Sequence, residues 1–152
     1  MTENERVMNR EPLCKIDDVA LVRDLFQENG VLQEKIRTAL NTNEERTEQA
    51  LQEAIRFLFL VSLHNEVLTP SHKVDLAWHE FILTTRSYHK FCQHHFGRYI
   101  HHSPGGERKE NEKQFQRTVN LYQENFGTPD PYFWGHDCLD LRDESCGACE
   151  TI

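Results

Sequence analysis

Residues 42–64 read TNEERTEQALQEAIRFLFLVSLH, and their pattern decides the fold. Leu51, Ala54, Ile55, Leu58 and Val61 recur at three- and four-residue spacing, the period of a helix with one apolar stripe. Phe57, Phe59 and Leu60 make the second half apolar nearly all round, so other elements must enclose it. Thr42 and Glu45 match a capping box, in which hydroxyl and carboxylate satisfy the first free backbone N–H groups. A central helix is therefore predicted from this cap to about His64.

The flanks read as helix too. Val19, Val22 and Phe26 share a face after a capping Asp17, and Gly30 supplies a stop. A short helix fits 31–40. Beyond the centre, Thr69-Pro70-Ser71 signals a start, followed by the stripe Val74, Ala77, Trp78, Phe81, Ile82. Thr84, Thr85 and Ser87 suggest a bend, with Ser87 capping a helix that runs to Phe96 and stops at Gly97. The last long helix is expected over 107–126, with Phe115, Val119, Tyr122 and Phe126 on one face. Residues after Pro129 look irregular, and the tail has five acidic residues, Asp137, Asp140, Asp143, Glu144 and Glu150, against Arg142. The expected fold is all-α, a compact bundle of about five helices with an irregular, acidic, Cys-containing C-terminal extension. The expected organisation is one helical domain over 1–136 and a tail over 137–152.

The 152 residues include 17 basic and 25 acidic ones, a formal charge of −8. That balance disfavours general nucleic-acid binding, which leaves a basic signature. No apolar run approaches the roughly 20 residues of a membrane span, and no secretory pattern opens the chain. A cytoplasmic protein is expected, with a protein partner or a homodimer possible at the apolar central helix and the Tyr132-Phe133-Trp134 cluster. Five cysteines, an odd number, suit reduced thiols better than a disulfide framework.

Seven of the nine histidines fall between 72 and 102. His72, Asp75 and His79 share one helical face, and Tyr88, Cys92 and His95 share another. With the chain folding back after Gly97, His79, Cys92 and His101 or His102 would supply the N/N/S ligands of a tetrahedral zinc site. Asp75 would orient His79 from behind or act as a ligand itself. Cys138, Cys146 and Cys149, the last two as a CxxC pair, are possible further ligands.

Over VDLAWHEFILTTRSYHKFCQHHFGRYIHH the chain resembles the glycine-rich-domain-protein-like family. The matching positions are Val74, Asp75, Trp78, His79, Tyr88, Cys92, Phe96, Gly97 and His102. The resemblance implies a helical domain with a polar His/Asp/Tyr/Cys centre and supplies no reaction. The second His of the commoner W-H-x-H form is replaced by Phe81, and the glycine-rich region itself is absent.

The leading expectation is thus a small metal-binding helical protein holding a divalent ion. Zinc suits the thiolate and imidazoles best, with iron or copper as alternatives. If the site is open, Tyr88 or His95 is the candidate proton donor. Two other readings stand beside it. One is an enzyme with Cys92 as nucleophile and His79 or His102 as base. The other is a metal-free interaction module using the locally basic, aromatic surface of Arg86, Lys90, Arg98, Arg108 and Lys109.

Overall fold

A computed structural model of the chain describes residues 13–103 and 105–138. Seven α-helices span Asp18–Glu28 (α1), Leu32–Leu40 (α2), Glu44–Leu63 (α3), His72–Leu83 (α4), Thr85–Phe96 (α5), Arg108–Phe126 (α6) and Pro131–Trp134 (α7). Single 3-10 turns flank them at Leu13–Lys15 and His136–Cys138. Among the described residues there is no strand, and the all-α expectation holds. The tail cysteines Cys146 and Cys149 lie outside the described residues.

The 20-residue α3 is the hub, packing against α1, α2, α4 and α6. Its apolar second half is enclosed as its pattern demands: Phe57, Leu58, Leu60 and Val61 are fully buried. Trp78 and Phe81 of α4 and Tyr88 of α5 join them in the core. No helix is long and apolar enough to cross a membrane among the described residues.

Helix starts differ from expectation by one to three residues, each for a local reason. The cap of α3 is Asn43, whose extended backbone lets its side chain accept from Arg46 N at 2.8 Å. Thr42 instead lies 3.4 Å from the Tyr132 hydroxyl. Ser71, rather than Pro70, opens α4, accepting from Val74 N. Ser87 does not cap α5; it is buried inside that helix and its hydroxyl meets the Asn29 side-chain amide at 2.8 Å. Gly97 closes α5 at φ 69°, a left-handed conformation that suits glycine.

The stretch after Pro129 is ordered where irregular structure was expected. Asp130 caps α7 by accepting from Tyr132 N, and Pro131 occupies its first turn. Gly135 follows because a Cβ there would sit 2.6 Å from the Pro131 carbonyl oxygen. The arm is held by charge: Arg46 donates to Asp130 at 2.9 Å and lies 4.1 Å from the centre of the Tyr132 ring. Lys73 bonds the Tyr132 carbonyl oxygen and stands 3.4 Å from the same ring centre. Cations over an aromatic face are attracted by its quadrupole.

Docking α7 completes a buried polar network. Glu53, on the core side of α3, accepts from Trp134 Nε1 at 2.8 Å and from the Tyr122 hydroxyl at 2.9 Å. Arg56 donates to that hydroxyl and to Asp18, which also accepts from Gln52. Burial pushes the Glu53 carboxyl above the ordinary glutamate range, while Trp134, Tyr122 and Arg56 pull it back part of the way. A carboxyl raised on folding binds its proton more tightly in the native state, so ionising it costs stability. The penalty is complete above the folded pKa and vanishes below the unfolded value, about 4.3. Urea unfolding across about pH 4–8 should therefore show wild type gaining on Glu53→Gln as pH falls. Parallel curves for the two proteins would remove this account.

Candidate functional site

The stretch expected to carry chemistry folds into a clasp between α4, α5 and the segment after Gly97. Tyr88, one turn into α5, is fully buried and accepts from Trp78 Nε1 at 3.1 Å. Its own hydroxyl donates to the Ile100 carbonyl at 2.5 Å, fixing the returning chain. Two residues on, His102 Nε2 meets Asp75 Oδ1 at 2.7 Å. The His102 ring lies 4.5 Å from the Trp78 ring and 6.0 Å from that of His79. Asp75, Trp78, Tyr88 and His102 are thus brought together, and Asp75 pairs with His102 rather than with His79, the imidazole expected from the sequence.

The metal-binding expectation is overturned. No three of the His, Cys, Asp and Glu side chains converge as a metal-holding group among the described residues. The reason is the clasp itself. It places the backbone of Ile100 against Cys92, so the returning main chain, and not an imidazole, faces the sulfur. Ile100 is buried, His101 is exposed with its ring 4.6 Å from Tyr99, and His102 turns to Asp75. His79 is exposed. Cys138 donates to the carbonyl oxygens of Pro131 and Tyr132 at 3.3 and 3.2 Å, closing the end of α7.

The other expected roles fare differently. Burial pushes the Cys92 thiol above its ordinary value, against a hydrogen bond from the Ile100 backbone that favours the thiolate. That disfavours the nucleophilic form. His95 sits apart from the clasp, its ring 4.4 Å from Phe91 and 5.7 Å from Phe59. Burial, with His94 beside it, lowers its proton affinity. The basic surface is partly consumed: Arg98 donates to the Val61 carbonyl and Arg108 faces Glu112. Arg86, Lys90 and Lys109 are exposed.

A different surface has the shape of a binding site. Between α1, α2 and the first turns of α3 lies a cleft of about 410 Å³. Val19, Val22 and Phe26 of α1 form its apolar wall, and Glu44, Glu45 and Glu48 of α3 form its acidic one. Val19 is 65% exposed, unusual for a valine on a helix otherwise packed by its apolar stripe. Sequence reading placed Val19 on one helical face with Val22 and Phe26 and took Glu45 for part of a capping box.

An α-helical bundle whose signature residues serve as a clasp, with an amphipathic cleft between its first three helices, is the class of protein defined here. The chain belongs to the UCP032817-like family, whose model matches residues 19–127. That assignment replaces the glycine-rich-domain resemblance suggested by the motif alone. The matched span contains the clasp, the cleft and the hub helix. No curated protein and no solved structure matches the chain significantly.

Proposed function

We propose that this protein is a helical interaction module that accepts a segment of a protein partner in the α1–α2–α3 cleft. The observation that carries the reading is the cleft's apolar wall, open enough to leave Val19 65% exposed. Helical segments are taken up by grooves of this kind through apolar anchors one turn apart. The buried polar network supports the same reading, since Gln52 and Arg56 of α3 both bond Asp18 of α1 and so fix the spacing of two helices that frame the cleft.

The test is selection of displayed random peptides on wild type, followed by binding to Val19→Arg. Val19 is exposed, so this change leaves the fold intact, which circular dichroism verifies. Selected peptides should lose at least tenfold in affinity for the variant. Failure to select any peptide, or equal binding to both proteins, overturns the reading.

A further inference from the structure

We infer that the cleft's partner is a basic amphipathic helix, a statement that rests on the interaction reading above. Glu45 and Glu48 make no ion pair or side-chain hydrogen bond among the described residues, and Glu44 receives only the Gln33 amide at 3.4 Å. The three arginines of α2 and α3 are engaged elsewhere, and Lys35 of α2 is exposed outside the cleft lining. Arg46 is turned to Asp130 and the Tyr132 ring, Arg37 is bound to Glu34, and Arg56 to Asp18. Arg23, the one basic residue lining the cleft, lies beside Asp24 at 3.3 Å.

The helix dipole accounts for acidic residues in a first turn, hence for Glu44 and Glu45. It does not account for Glu48, a turn further along, which adds a like charge four residues from Glu44. Glu45 and Glu48, without a side-chain partner among the described residues, and Glu44, with only the Gln33 amide, therefore run along one wall. Exposed Val19, half-buried Phe26 and the buried Val22 between them run along the other. At 1.5 Å per residue the apolar row spans about 10 Å, close to two turns of an opposing helix. A helix with apolar residues at i, i+3 or i+4 and i+7, and Lys or Arg along one flank, meets both walls at once. A second copy of the chain is disfavoured as occupant, because each copy has a formal charge of −8.

The experiment uses a labelled amphipathic Leu/Lys peptide and its Leu/Glu counterpart, with fluorescence anisotropy as readout. Wild type should bind the Leu/Lys peptide, weaken steeply with added salt, and ignore the Leu/Glu one. Glu44→Gln, Glu45→Gln and Glu48→Gln combined should lose at least tenfold in affinity. Reversing all three to Lys should transfer binding to the Leu/Glu peptide. Equal binding of both peptides to wild type, or no loss in the triple Gln variant, overturns the inference. So does selection of peptides that Val19→Arg rejects but that lack a basic flank; that outcome leaves the interaction module standing. Sedimentation of wild type covers the remaining case: a dimer that Val19→Arg dissolves makes the occupant a second copy and overturns a basic partner.

Discussion

Trp134→Ala should be the most destabilising single change in α7, costing about 3–5 kcal/mol, the usual range for truncating a buried aromatic. Against a total stability of roughly 5–15 kcal/mol for a domain, that is a large share. Two losses combine. The indole packs 5.3 Å from Tyr122 and 6.3 Å from Phe115, so its removal opens a cavity. It also donates to Glu53 Oε2, and a buried carboxylate stripped of a donor loses the compensation that made its burial tolerable. Trp134→Phe separates the two, keeping most of the ring while deleting the N–H. Its expected cost is about 1–3 kcal/mol, that of an orphaned buried acceptor. Urea unfolding followed by circular dichroism measures both. Equal losses for Ala and Phe would mean that the cavity contributes nothing.

Tyr88→Phe should cost nearly as much while changing only one oxygen atom. The hydroxyl is both acceptor for Trp78 Nε1 and donor to Ile100, and all three residues are at most 1% exposed. Deleting it leaves a buried N–H and a buried carbonyl, each worth about 1–3 kcal/mol when orphaned. The damage should also be local. The Ile100–His102 segment loses its anchor, so hydrogen exchange there should accelerate more than in the body of α3. A loss below about 0.5 kcal/mol, the scatter of ordinary surface substitutions, would remove the clasp from the list of stabilising features.

The fold was legible because α3 announces itself. A run that is apolar on one face and then on every face admits a helix at the centre of other helices and little else. Helix ends were less legible because neighbouring polar residues compete for the same cap, as Thr42 and Asn43 do, and backbone geometry chooses between them. The clasp residues were all visible in the sequence, but their role was not. Cys92 and His102 are equally consistent with a metal centre until the direction of the chain after Gly97 is known. The short α7 was missed because four residues carry no period, and its stability comes from cations on distant helices. Glu53 was hidden for a similar reason, since its partners Tyr122 and Trp134 lie 69 and 81 residues away. A lone Glu on the buried side of an apolar helix was the one clue.

The Glu53 network also sets an order of assembly during synthesis. Domains generally fold as units during synthesis, and helices α1 to α5, although made first, are only part of this one. The carboxylate they enclose waits for Tyr122 and then Trp134, made last of all the residues that touch it. Until then it must keep its water, and the hub helix cannot be sealed. A nascent chain short of α7 thus holds a hydrated charge at its centre, and closure of the core is timed by the arrival of its final helix.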